Sequence, residues 1–249
     1  MYVFPGEVQT GFGFRHKKCY IYSRYIPTMR TLPNTTDRYG ELSVTPIGHA
    51  SLYLDYKSER IAVDPYSEVA DFSTLPEATV ILITHDHYDH YDPEAIRPIA
   101  TPETTFIAPP QVAELLRKDG FEQPIITLAN GDIADYKDRM RIAAVPAYNI
   151  VRERAPGQPF HPKGEGNGYI LTIDGKRIYI AGDTEVIPEM REINFIFIAF
   201  LPMMLPYTIN EEEFIQAAKI IEPEFLYPYH YTSINKQELQ QALPNITIR

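Results

Sequence analysis

The stretch Thr84-His85-Asp86-His87-Tyr88-Asp89-His90 gathers three of the chain's seven histidines within six positions. Histidines two apart project to the same side of an extended segment, so His85 and His87 can grip one metal ion. The chain then turns, and Asp89 and His90 face a second. The flanks say what delivers them. Val80-Ile81-Leu82-Ile83 is a short apolar run of the kind that forms a buried strand. Asp92-Pro93 pairs an N-cap residue with a proline at the first helical position, predicting a helix through about Arg97. The histidines therefore fall in a strand-to-helix loop, where α/β sheets hold their ligands. A merely solvated polar loop is the competing reading, and it leaves the spacing unexplained.

From Glu41 onward strands and helices alternate without repeats or low-complexity linkers. Strands are predicted over 42–47, 51–56, 61–63, 106–108, 125–128, 139–145, 168–173, 177–181 and 195–201. Lys57-Ser58-Glu59 and Asp174-Gly175 supply turns. A further strand over 225–227 is expected to close at Pro228. Helices are predicted over 112–118, ended by Gly120, and over 211–221, opened by Asn210. In the second, Phe214, Ile215, Ala217, Ala218 and Ile221 share one face. This succession fits a layered α/β sandwich and fits an all-β or all-α chain poorly.

A chain of 249 residues with 44% hydrophobic residues can bury a sizeable core. Residues 85–90, 183 and 230 must converge to share a site, so 39–249 is expected to form one domain. The first 38 residues carry six Lys/Arg against Glu7 and Asp37, while the whole chain is at −10, leaving the remainder near −14. They are expected to form an N-terminal arm or extension, with no apolar stretch of a secretory signal, and Met29 offers an alternative start. The acidic balance argues against a nucleic-acid partner, and no apolar run reaches the length of a membrane span. Cys19 has no partner for an internal disulfide. The expected location is the cytoplasm and the expected partner a small-molecule substrate.

His85-x-His87-x-Asp89-His90 resembles the signature of the metallo-β-lactamase superfamily, which implies a four-layered αββα sandwich. Ile47-Gly48-His49-Ala50-Ser51 followed by Val63-Asp64-Pro65 resembles the opening of the branch containing ascorbate-6-phosphate lactonase and the phosphodiesterase that cleaves N-acyl phosphatidylethanolamines. Ala181-Gly182-Asp183-Thr184 resembles the Gly-Asp-Thr motif whose aspartate bridges two metals, and Tyr227-Pro228-Tyr229-His230 the final histidine motif. Alone, a Gly-Asp pair is usually a turn and a single histidine a satisfied polar group; their order along residues 41–232 gives them weight. The resemblance implies His85 and His87 on one ion, Asp89, His90 and His230 on the other, and Asp183 between them. His49 and Asp64 either orient ligands by hydrogen bonding or are strand-end polar groups. His16 lies in the basic arm and is assigned nothing.

The chain departs from this pattern where a third histidine normally completes the first site. That region reads Val145-Pro146-Ala147-Tyr148-Asn149, and the one histidine between positions 91 and 229 is His161, in Phe160-His161-Pro162-Lys163-Gly164. Together these segments resemble one hydrolase branch of the superfamily. His161 is expected to supply the missing ligand in preference to Asn149, a neutral amide, which would then stand behind it or contact substrate.

Two divalent ions a few ångströms apart can share one hydroxide and lower its pKa toward about 7. Asp89 would orient that hydroxide and carry a proton, and no serine or cysteine nucleophile is needed. Imidazole and carboxylate donors suit zinc, with manganese and iron compatible. The expected activity is metal-dependent hydrolysis of an ester, lactone, amide or phosphodiester. The alternative is an iron-dependent redox enzyme resembling a sulfur dioxygenase, and a metal-free binding module would have lost ligands. Met203-Met204-Leu205-Pro206-Tyr207 could wall the site, though such loops are more often ordinary packing. Lys163 and Tyr207 are candidates for an anionic substrate group.

Overall fold

In the computed structural model, which describes residues 36–249, most strands bury both faces, and this sets the layering. Along Ile178-Tyr179-Ile180-Ala181, the two isoleucines enter one core and Tyr179 and Ala181 another. Val80 and Leu82 share the first core, while Ile81 and Ile83 enter a third. Side chains alternate along a strand, so an unbroken apolar run needs cover on both sides. Two sheets enclose the central core and helices cover each outer face. This is the expected αββα arrangement.

The first sheet takes its strands in chain order: β1 (Asp37–Tyr39), β2 (Leu42–Gly48), β3 (Ser51–Tyr56), β4 (Glu59–Val63), β5 (Ala78–Leu82), β6 (Ala100–Ala108) and β7 (Ile125–Thr127). The first four pair antiparallel, and β4 to β7 run parallel. Helices α1 (Pro93–Ile96) and α2 (Pro110–Lys118) pack Ile96, Val112 and Leu116 on its outer face.

The second sheet repeats the scheme with β8 (Ile133–Tyr136), β9 (Met140–Ala147), β12 (Gly166–Ile173) and β13 (Lys176–Ile180) antiparallel. It continues in parallel through β14 (Ile198–Met203), β15 (Phe225–Tyr231) and β16 (Thr247–Ile248). Between β9 and β12, β10 (Glu153–Ala155) and β11 (Gln158–Pro159) form a separate ribbon. Helices α3 (Glu211–Ile221) and α4 (Lys236–Ala242) cover the outer face. Asn210 opens α3 with a reciprocal capping box to Glu213, and Phe214, Ala217, Ala218 and Ile221 are buried.

Two strand bounds are corrected. The strand expected over 195–201 begins at Ile198, because Phe195 is 87% exposed with φ 54° and makes the entry turn. The strand expected to end before Pro228 runs on to Tyr231. Proline is tolerated there because β16 pairs only with Phe225 and Leu226, leaving that flank open beyond them. Edge strand β8, four residues long and broken by Asp135, was not read from the sequence. The expected boundary after residue 38 falls within β1, which runs Asp37–Tyr39. The rest of the expected arm, with His16, Cys19 and Met29, lies outside the described residues. Among the described residues no helix is long and apolar enough to cross a membrane.

Asp37 Oδ2 accepts from the Tyr227 hydroxyl at 2.6 Å, and that hydroxyl also meets Tyr39 at 2.7 Å. A chain beginning at Tyr39 loses this bond and the pairing of Asp37 and Arg38 with β2. It is expected to be about 2 kcal/mol less stable in urea denaturation than one beginning at Asn34; equal midpoints would show that β1 contributes nothing.

Candidate metal centre

The ligand-type side chains lie at or just beyond strand ends. Asp64 follows β4, His85 to His90 follow β5, Asn149 follows β9, His161 follows β11 and Asp183 follows β13, while His49 turns between β2 and β3. His230 sits inside β15, where the pairing skips from Pro202↔Tyr229 to Met203↔Tyr231. It is the extra residue of a β-bulge, at φ 49°, and the bulge re-aims its ring. His49 and Asp64 are also left-handed, at φ 51° and 41°, a cost that clusters at functional sites. The His230 N–H donates to the His49 carbonyl at 2.8 Å, tying the two sheets together. Gly182, at φ 66°, has no substitute: a Cβ there would stand 2.8 Å from the Asn167 carbonyl oxygen.

Two donor groups form beside each other. In the first, His87 Nδ1 lies 3.1 Å from His85 Nε2 and 3.2 Å from His161 Nε2. In the second, Asp89 Oδ2 lies 2.9 Å from His49 Nε2, 3.4 Å from His230 Nε2 and 3.8 Å from His90 Nε2. Asp183 joins them, with Oδ2 at 3.3 Å from both His161 and His230, and Oδ1 at 3.5 Å from His90.

Hydrogen bonds behind these rings fix which nitrogen faces inward. Asp64, fully buried, accepts from the Thr84 N–H on Oδ1, and from the Thr84 hydroxyl and His90 Nδ1 on Oδ2. With its one proton given to Asp64, the Thr84 hydroxyl accepts from His85 Nδ1 at 3.0 Å. Asn149 does the same for His161. Its Oδ1 accepts from both the backbone N–H and Nδ1 of His161 at 2.7 Å, while its amide donates to Glu185 and the Tyr207 carbonyl. Asn149 thus stands behind His161, and His161 Nε2 is left with a lone pair pointing at the first group.

Electrostatics agree. Burial, with His90 second, holds His85 well below the ordinary imidazole range, and burial with His161 pushes His87 down to about 4. Both are neutral, the form that ligates metal. Burial opposes charge on His90, but Asp183 and Asp64 outweigh it and hold it well above the ordinary value. Burial would raise Asp89 and Asp183, yet contacts from His230 and His49 to the first, and the charges of His230 and His90 on the second, keep both well below the usual carboxylate range. Anionic carboxylates face a centre in need of a cation. His90 Nε2, Asp183 Oδ1 and both ring nitrogens of His230 are buried without a hydrogen-bond partner. Each such group costs about 1–3 kcal/mol unless a ligand satisfies it, so the donor set fits divalent metal.

The first group opens into a cleft of about 510 Å³, lined by His85, His87, His161 and Asp183 and by Arg154, Phe160 and Glu165. A larger hollow of about 640 Å³ lies against α3, but its lining, from Arg191 to Lys219 and Ile220, holds no histidine and no metal-type cluster. Lys163 is drawn away from the cleft. It donates to Glu189 at 2.6 Å and lies over the Tyr148 ring, so the cation at the cleft is Arg154. Tyr207 approaches through edge contact with Phe160, and Met203 and Met204 are not in the lining.

Sequence reading passed over three residues. Thr84 begins the quoted stretch, and its position before His85 was signal enough. Glu185, two beyond Asp183, accepts from the N–H groups of Ile150, Val151 and Arg152, holding the loop that carries Asn149. Arg154 lies on a ribbon that no local pattern announced.

The family described as a beta-lactamase superfamily domain matches residues 43–230. A candidate metal-dependent hydrolase from Parabacteroides distasonis is similar in structure, with TM-score 0.79 and 42% identity over 87% of this chain and 98% of its own. Igni18, a metallo hydrolase of Ignicoccus hospitalis, follows at TM-score 0.68 and 25% identity over 84% and 94%. A UPF0173 metal-dependent hydrolase of Bacillus velezensis is 30% identical over 77% of this chain and 86% of its own.

Asp64→Asn keeps the volume but turns one acceptor oxygen into an NH2 donor, so it cannot accept all three bonds from Thr84 and His90. The folded variant is expected to bind divalent metal about 10- to 100-fold more weakly in a chelator competition assay. Wild-type affinity would show that Asp64 orients neither histidine.

Proposed function

The chain belongs to the metallo-β-lactamase superfamily, and on that premise we propose that it is a binuclear metal-dependent hydrolase, with zinc as its metal. His85, His87 and His161 would hold the first ion, and Asp89, His90 and His230 the second, with Asp183 within reach of both groups. The observation that carries this reading is the convergence of buried, unpartnered donor atoms from both sheets on one point. Bound there, two divalent ions supply an activated water at neutral pH and Lewis acidity toward the scissile carbonyl or phosphoryl oxygen.

The chain's own residues do the rest. Asp89, kept ionised by His230 and His49, would accept a hydrogen bond from water in the centre, orienting it and relaying its proton. His49 positions that carboxylate. Asn149 and Asp64 hold His161 and His90 in the tautomer that turns Nε2 inward. The substrate is a small ester, lactone, amide or phosphodiester, a range supported by the likeness of the His49 and Asp64 motifs to the lactonase and phosphodiesterase branch. A cytoplasmic location goes with this reading.

Elemental analysis of protein purified without chelator is expected to find about two zinc ions per chain; a single iron would favour oxidation and contradict the hydrolase reading. His161→Ala is expected to lower the content toward one ion, and Asn149→Ala to lower it less. His87→Ala and Asp89→Ala should each abolish cleavage in a panel of lactones, phosphodiesters and thioesters while circular dichroism stays unchanged. Full activity in either would contradict the mechanism.

A further inference from the structure

We propose that Arg154 and the outward nitrogen of His87 form an oxyanion-binding subsite at the lip of the cleft, which takes a carboxylate or phosphate group of the substrate. This rests on the metal-dependent reading above. His87 turns Nδ1 toward His85 and His161, so Nδ1 is its ligand atom. A neutral imidazole carries one proton, and with Nδ1 committed to an ion that proton sits on Nε2. Arg154 Nη2 lies 3.4 Å from Nε2. A guanidinium only donates, so two donors face each other with no acceptor between them.

Arg154 is held in this position. Its Nη2 donates to the Phe160 carbonyl at 2.9 Å, and the guanidinium carbon lies 6.0 Å from the Phe160 ring centroid. It heads no salt bridge to any carboxylate among the described residues; Asp86 and Glu165 line the same cleft without pairing it. An anionic oxygen lodged between the two groups would accept from both. The planar fork of the guanidinium matches the edge of a carboxylate or phosphate, and such charge-assisted bonds are the strong ones. Beyond it, Phe160 packed on Tyr207 offers the rest of the substrate an apolar wall. The subsite therefore selects hydrolysable substrates that carry an oxyanion close to the scissile bond.

Isothermal titration calorimetry of the metal-loaded full chain with inorganic phosphate and, separately, acetate tests this. Arg154→Gln is expected to weaken the anion that wild type binds more tightly by about tenfold or more, with metal content unchanged. Arg154→Lys should recover part of the loss. Preference for phosphate assigns a phosphate-bearing substrate, and preference for acetate a carboxylate. Wild-type affinity for both anions in a fully metallated Arg154→Gln protein overturns the subsite and leaves the hydrolase reading intact. A wild-type chain that holds no metal overturns that reading, and the His87 tautomer with it.

Discussion

The structure depends on one buried carboxylate. Asp64 sits between β4 and β5 without solvent contact, and its carboxylate accepts from Thr84 and His90. A buried charge stripped of its partners would cost about 3–5 kcal/mol, so these bonds are not optional. They hold the loop after β5 in place, and they settle which nitrogen of His85 and His90 faces inward. The left-handed backbone at Asp64 is the strain that brings its carboxylate under the histidines.

The second sheet is fastened to that loop from the other side. Asn167 donates its backbone N–H to the Thr84 carbonyl, the Tyr169 hydroxyl reaches the Ile83 carbonyl, and His230 bonds the His49 carbonyl. Ligand-type residues carried by the parallel strands β5 and β15 thus meet those that follow β11 and β13. The neutral histidines and ionised carboxylates follow from this enclosure, because burial suppresses lone imidazolium charge while facing pairs sustain it.

Much of this was legible because it is local. Spacing of two placed His85 and His87 on one side, Asp92-Pro93 opened α1, and Asn210 with Glu213 opened α3. Unbroken apolar runs announced strands buried on both faces. What escaped depends on partners distant in sequence. His230 is aimed by a bulge that appears only when β15 pairs with β14. Phe195 reads as strand by composition and is an exposed turn. Lys163, the expected anion contact, is captured by Glu189, and a ribbon that no local pattern announced brings Arg154 over His87. His161 stood out against the superfamily pattern as the one histidine between positions 91 and 229, but Asn149's place behind it came from the bonds its amide makes to Glu185 and Tyr207.

The central claim is that these donors form two adjacent metal sites with His161, not Asn149, completing the first. Anomalous diffraction from crystals of protein purified without chelator measures this directly. The account predicts two zinc-edge peaks, one among His85, His87 and His161 and one among Asp89, His90 and His230, with Asp183 reaching both. A single peak, or a first peak ligated by the Asn149 oxygen with His161 turned away, would contradict it.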